Sequence, residues 1–296
     1  MGDKIKDIFK EKKELIFPGL LFLIVIVVFS RITFNDFVYD DWGTILGNPI
    51  INIELSPISY FKNPKALMPI INSQPADVYR PLFNWFLSLE SHLFGPDPFY
   101  FHLISLLLHA ANALLFFFLL EKIFKNSFLS FLASLVFALH PLTTESVAWA
   151  SQQAGLWAWF FSFLALNLIF IEEKKDNLFF DKEWKKVILL AIFSFGAVFS
   201  KEQAVILPFL CLLSFLVFKK SMRKHWLEIG AIFLPVIFYF IIRLELLGSL
   251  AQMEPWGGGR YVIFLTMLKG FLYYFKLFVW PHPLSVVYDS FPLEKT

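Results

Sequence analysis

Residues 15–48 read LIFPGLLFLIVIVVFSRITFNDFVYDDWGTILGN. An apolar run suited to lipid gives way, within a few turns of chain, to two adjacent carboxylates, Asp40 and Asp41. Ionised carboxylates are costly near a bilayer and are usually kept for chemistry or ion handling, so the first polar stretch after the first apolar segment is where a site is sought. The run leads into Ser30, Arg31 and bulky residues with no small-x-small cleavage pattern, which reads as a retained anchor and not a secretory signal.

Composition places the whole chain in the same setting. Of 296 residues, 57% are hydrophobic and 39 are phenylalanine, and the mean hydropathy is +0.63; soluble domains carry roughly 45–50% apolar residues. A net charge of +2 is too small for a nucleic-acid partner. The single cysteine, Cys211, lies inside an apolar run, which excludes a disulfide framework and a cysteine metal site.

With a span of about 20 residues as the measure, further apolar helices are expected near 99–120, 128–142, 154–171, 187–200, 203–218, 226–243 and 261–279. The expectation is an all-α, polytopic bundle of about seven or eight membrane helices forming one domain over 1–296. Positive charge orients it. Lys4, Lys6, Lys10, Lys12, Lys13, Lys122, Lys125, Lys174, Lys175, Lys182, Lys185, Lys186, Lys219, Lys220, Arg223 and Lys224 fall on one side, sixteen of the 26 lysines and arginines. That side is expected to be cytoplasmic, with the amino terminus on it, so Asp40 and Asp41 face outward. The same orientation brings to the outer face Tyr79-Arg80-Pro81, then His140, Glu145 and Trp149, then Lys201 and Glu202. The unusual polar residues thus converge on one side of the membrane.

The outer segment 34–98 is long for a loop, and loops beyond about 12–15 residues usually carry function or structure. Prolines 57, 64, 69 and 75 cut it into short pieces, while 81–94 (PLFNWFLSLESHLF) has apolar residues at helical spacing and a polar side of Asn84, Ser88, Ser91 and His92. Such a helix is expected to lie flat at the interface or to pack as a lid on the bundle.

Five runs then carry a resemblance: FVYDDWGTILGNPII (37–51), YRPLFNW (79–85), FHLISLLLHAANALLF (101–116), FALHPLTTESVAW (137–149) and SKEQAVILP (200–208). In order and spacing the chain resembles the membrane half of the transmembrane-and-tetratricopeptide-repeat O-mannosyltransferases, of the glycosyltransferase C superfamily. The resemblance implies a glycosyltransferase C-type helical fold, a polyprenyl- or dolichyl-phosphate-linked sugar donor, mannose as the sugar, and a general base drawn from the acidic pair, mapping onto Asp40 with Asp41 as neighbour or alternative. The chain departs from the family in two ways. Ser151-Gln152-Gln153 stands where an arginine is common, and no repeats follow before Thr296, which gives the expectation of a fragment or reduced homologue whose acceptor is a protein hydroxyl or a glycan.

Glycosyl transfer from a lipid phosphate needs a base for the acceptor hydroxyl and cations for the departing phosphate. Arg80, Lys201 and Arg260 are outer-side cations; Arg80 ranks first because its fork suits two oxygens, and Lys201 ranks lower because the adjacent Glu202 offers it a partner. Tyr79, His140, Glu145 and Glu202 are expected to bind substrate or shape the site, although His140 and Glu145 read equally well as a cap where Pro141 breaks the helix. His102, Ser105, His109 and Asn112 make one polar stripe that reads as interhelical glue. Lys269 and Lys276, seven apart, place two charges on one face of 261–279. That helix is therefore either re-entrant at the outer interface, its lysines beside the donor phosphate, or a span facing a polar cavity; the first is preferred. No metal or other cofactor is indicated, although a divalent ion beside the acidic pair stays open. The rivals are a lipid-linked sugar flippase or transporter, for which no paired inverted halves are seen, and a catalytically silent scaffold.

Overall fold

The computed structural model describes residues 2–53, 55–62, 70–71, 74–75, 78–171, 183–218, 222–248 and 259–285, with the side chains of 2–14, 49, 70–71, 74–75, 183 and 260 left aside. The chain is all-α, apart from a two-residue antiparallel bridge between Ile70–Ile71 and Gln74–Pro75. Twelve α-helices are described, besides short 3-10 and π turns: α1 (Gly2–Phe29), α2 (Pro49–Ile53), α3 (Pro57–Lys62), α4 (Pro81–Phe94), α5 (Pro98–Phe124), α6 (Ser127–Leu139), α7 (Thr144–Ala148), α8 (Gln153–Ile169), α9 (Glu183–Ser200), α10 (Leu207–Val217), α11 (Trp226–Leu247) and α12 (Arg260–Val279).

Their limits follow local chemistry. Asp97 caps α5, its carboxylate accepting from the Phe99 amide at 3.0 Å, with Pro98 in the first turn. Asn126 caps α6 in the same way through the Leu129 amide. The C-cap of α5 is Lys125, at φ +52°. Pro141 cannot extend α6, and the chain bends by 52° into α7.

Among the described residues four helices, with residues 15–34, 98–124, 226–247 and 261–279, are long and apolar enough to cross a membrane, and the bent α6–α7 pair passes the same test only when its two helices are taken together. This is an integral membrane protein. The expected seven or eight spans are not all reached: α8 has 17 residues and α10 has 11, and the first turn of α9 carries Glu183, Lys185 and Lys186. The apolar runs were in the expected places, but polar turns cut them short.

Contacts fix the direction of each helix. Lys122 near the end of α5 donates to Asn167 near the end of α8, so these two run the same way. Ser194 of α9 donates to the Ile232 carbonyl of α11, and Phe199 packs on Tyr239 further along. The end of α1, the start of α5, the end of α6, the start of α8 and the ends of α9 and α11 therefore share one end of the bundle. That polar end carries the acidic pair. α8 and α9 pack closely enough that a Cβ on Gly196 would meet the Phe161 ring at 2.7 Å.

The polar stripe of α5 is buried and does connect helices. His109 Nε2 bonds the Ala138 carbonyl at 2.9 Å, and Asn112 donates to the Leu156 carbonyl at 2.9 Å. Of the two postures expected for α4, the described contacts match the lid. Asn84, Ser88 and Ser91 are buried, Ser91 donating to Asn52, while Leu93 is 64% exposed. Its polar side faces protein, and α4 lies as a lid over α2, α3 and α9.

Between α5, α6, α8 and α10 lies an apolar groove of about 480 Å³, lined by residues such as Phe116, Phe137, Trp159 and Leu210. Among the described residues no ionisable side chain lines it.

Candidate active site

The chain leaving α1 turns sharply before the acidic pair. Tyr39 sits at φ +50°, a left-handed conformation that costs a non-glycine residue on the order of 1–2 kcal/mol. Asp41 then donates its amide to the Val38 carbonyl, and a π-helical turn runs from Trp42 to Leu46. Such turns are frequent at functional sites. Gly47 closes it, and a Cβ there would lie 2.9 Å from the Trp42 carbonyl.

The two carboxylates have different surroundings. Asp41 is fully buried. Its Oδ1 accepts from the Ser151 amide at 2.7 Å and from the Ser151 hydroxyl, and its Oδ2 accepts from the Val38 amide at 3.1 Å. Asp40 is half-buried, and its carboxylate makes no hydrogen bond or ion pair among the described residues. Burial, and then the charge of Asp41, raise its pKa above the usual carboxylate value.

Gln152 and Gln153 continue what Ser151 begins. Gln152 Oε1 accepts from Lys201 Nζ at 2.9 Å, and Gln153 Nε2 donates to Glu90 at 3.3 Å. Three consecutive residues therefore hold a carboxylate of the first loop, a cation after α9 and an acid of α4. Burial raises Glu90 to about 8, against the Gln153 hydrogen bond, so it is neutral at pH 7.

Arg80 grips Glu202 with both arms of its fork, Nε to Oε2 at 2.9 Å and Nη2 to Oε1 at 2.7 Å. This reverses the expected pairing: Glu202 partners Arg80, and its neighbour Lys201 reaches Gln152. Extended backbone at Lys201 carries the two side chains apart. Burial opposes ionisation of Glu202, but the hydrogen bonds and charge of Arg80, joined by Lys201, outweigh it and hold the carboxyl at about 2. Burial first, and Arg80 second, push Lys201 down to about 8, against the pull of Glu202 and Glu145. Lys201 lies over Gly155 of α8, where a Cβ would come within 3.5 Å of Nζ.

Tyr79 is buried, stacked on Tyr239 at 5.9 Å; burial and that neighbour push its phenol upward. His140 acts as a cap: Nδ1 accepts from the Leu142 amide at 3.2 Å, leaving Nε2 to donate to the Phe278 carbonyl at 2.9 Å. Glu145, in the first turn of α7, lines a cavity of about 780 Å³ with Asp36, Tyr39, Trp149 and Tyr274. Asp40 directly follows that lining.

The other expected cations are all on α12. Lys276 lies over the Tyr273 ring at 5.4 Å, Lys269 is half-buried on α12, and the side chain of Arg260 is outside the described residues. Among the described residues no group of three or more histidine, cysteine or acidic side chains is placed to hold a metal.

Asp36 and Arg243 at this end are not signalled by the motifs, and Ser151-Gln152-Gln153 stands out in the sequence only as a departure from the family's arginine. Arg243 is the most legible of them. It is a buried arginine in an apolar helix, bonded to Tyr239 Oη at 3.3 Å, and charge at that depth is itself a signal.

The fold and this polar end define an integral membrane protein with an acidic pair and a cation–carboxylate cluster at one end of its bundle. No protein-family profile and no solved structure matches the chain. The chain is similar to the protein O-mannosyl-transferase F38B6.6 of Caenorhabditis elegans, 28% identical over 229 residues, which cover 74% of this chain and 31% of that protein. It is 34% identical to the mouse protein O-mannosyl-transferase TMTC1 over 123 residues, 40% of this chain and 13% of that protein. With human TMTC3 it shares 30% identity over 179 residues, 60% of this chain and 19% of the relative. The chain spans less than a third of the length of these relatives. All of these relatives are named as protein O-mannosyl-transferases.

Proposed function

We propose that the chain carries the catalytic membrane portion of a glycosyltransferase that moves a mannosyl group from a polyprenyl-phosphate donor to a protein hydroxyl at the extracytoplasmic face. The observation that carries the reading is the asymmetry of the acidic pair: Asp41 is saturated by Ser151 and Val38, while Asp40 has no side-chain partner among the described residues and directly follows Tyr39, which lines a cavity of about 780 Å³. Relatives named as protein O-mannosyl-transferases support the reaction class.

In this reading Asp40 takes the proton of the acceptor hydroxyl as that oxygen attacks the anomeric carbon. The bond from this carbon to phosphate oxygen breaks, and the lipid phosphate leaves with the electron pair. A single displacement inverts configuration. Lys201 and Arg80 hold the departing phosphate, Glu202 keeping the Arg80 fork in place before donor arrives. The positive-inside count supports an outward site.

We also assign α12 to the membrane surface on the site side. Its residue Phe278 meets His140, and α11 ends at that same end of the bundle. A crossing α12 that ends at His140 would have to begin at the opposite end of the bundle from the one where α11 ends.

The test is transfer of radiolabelled mannose from polyprenyl-phosphate mannose to hydroxyl-bearing peptides. Asp40→Asn is expected to lower transfer by about 10²–10⁴-fold. Equal activity in that variant removes the general-base role, and lipid binding with no transfer from any donor points to a flippase or scaffold.

A further inference from the structure

The cavity lined by Tyr39, the residue before Asp40, differs in chemical character from the cation cluster. Its charged lining residues among those described are Asp36 and Glu145, with no lysine or arginine. Tyr39 and Trp149 pack with their rings 5.8 Å apart, and both line the space, as does Tyr274. Trp149, itself a lining residue, keeps its indole N–H buried with no partner among the described residues. An unpaired buried donor is costly and is normally satisfied by water or ligand. A volume of about 780 Å³ falls inside the roughly 300–1,000 Å³ range of ligand pockets.

Two carboxylates repel the donor's phosphate, and the cations suited to it are not among the cavity's lining residues: Lys201, within electrostatic reach of Glu145, bonds Gln152, and Arg80 bonds Glu202. An anion therefore belongs beside Lys201 and Arg80, leaving the cavity for the other substrate. Asp36 and Glu145 are both exposed enough to meet a solute. Aromatic faces add attraction for a cation, about 0.5–2 kcal/mol in comparable settings.

We infer that this cavity is the acceptor site, and that it selects a polypeptide in which a lysine or arginine stands beside the hydroxyl to be glycosylated. The basic side chain lies between the two carboxylates against the aromatic rings, the Trp149 N–H meets a peptide carbonyl, and the hydroxyl is left next to Asp40. This rests on the transferase reading for the word acceptor, but not for the binding itself.

The experiment uses the whole chain in lipid nanodiscs and fluorescent threonine peptides whose flanking residue is lysine, alanine or glutamate, with binding read by anisotropy and transfer read separately. Lysine peptides are expected to bind roughly three- to tenfold more tightly than alanine peptides, and glutamate peptides more weakly than both. Glu145→Gln should compress this order, and Glu145→Lys should invert it. Glu145 is exposed in the first turn of a five-residue helix, so its replacement leaves the bundle intact, and Asp36→Asn gives an independent check. An unchanged order in Glu145→Lys overturns the inference. So does an equal affinity for all three peptides accompanied by weaker donor saturation in Glu145→Gln, which assigns the cavity to the neutral sugar. Charge-ordered binding without transfer from any lipid-phosphate sugar leaves the peptide site standing and removes the transferase reading.

Discussion

Ser151 donates both its amide and its hydroxyl to one oxygen of Asp41, fastening the first loop to the start of α8. Adjacent aspartates should therefore fail in different ways. Asp41→Ala strands the Ser151 and Val38 donors and is expected to cost about 1–3 kcal/mol of stability, with loss of transfer following from the displaced loop. Ser151→Ala should cost about 1 kcal/mol. Asp40→Asn should keep the melting temperature and lose transfer. Thermal unfolding in detergent alongside the transfer assay separates the two, and a destabilised Asp40→Asn would place both carboxylates in the scaffold.

The pH profile should have two limbs. Asp40, raised by burial and by Asp41, serves as base only above its pKa, so activity falls on the acid side at a higher pH than an ordinary carboxylate would give. Lys201, lowered to about 8, loses its charge as pH rises through that value, and donor KM should climb there. Lys201→Arg is expected to flatten the alkaline limb and leave the acid limb unchanged, as measured by initial rates from pH 5 to 9.5.

Glu90 makes the opposite kind of claim, about stability. A carboxyl raised from 4.5 to about 8 on folding binds a proton that the unfolded chain releases, so stability falls as pH rises from about 4.5 and levels off above about 8. Glu90→Gln should therefore stabilise the protein at pH 7 by an amount on the order of 2–3 kcal/mol, with the gain vanishing below pH 4. Chemical denaturation at the two pH values checks it, and an equal effect at both would show that ionisation is not the cause.

Gly196 sits where α9 touches α8. An added methyl meets the base of the Phe161 ring at 2.7 Å, and overpacking of this kind costs about 1–3 kcal/mol. Gly196→Ala should lower the melting temperature, and Phe161→Leu in the same chain should restore part of it.

The placement of α12 is open to direct labelling, because the sole native cysteine, Cys211, is buried. Single cysteines at exposed Phe264, Met267 and Phe271 should react with a maleimide that cannot cross the membrane when it is added on the site side, after brief detergent exposure of the interface. Reaction of position 264 from the lysine-rich side alone would make α12 a span.

Helix positions were legible because the apolar runs are long and their stops are chemical. The expected 226–243 and 187–200 lie within Trp226–Leu247 and Glu183–Ser200. What periodicity cannot tell is which way a polar stripe faces. In α4, Asn84, Ser88 and Ser91 turn inward because the loop and bundle supply their partners. Pairings between distant segments were equally hidden: chain proximity favoured Lys201 for Glu202, whereas extended backbone at Lys201 sends the two side chains to different partners. Of the candidate site residues, the motif-borne Asp40, Asp41, Arg80, Lys201, Glu145 and Glu202 gather at one end, while Lys276 packs on its own helix.

Ser151, Gln152 and Gln153 give the polar end a common frame of reference. Ser151 and Gln152 lie in a 3-10 turn that runs directly into α8 at Gln153, so one residue inserted just ahead of Ser151 would shift the three side chains out of register together. Asp41, Lys201 and Glu90 would lose their anchors in a single event instead of one by one. Point substitutions at this corner should be graded in effect, whereas a one-residue insertion should abolish assembly of the site at once.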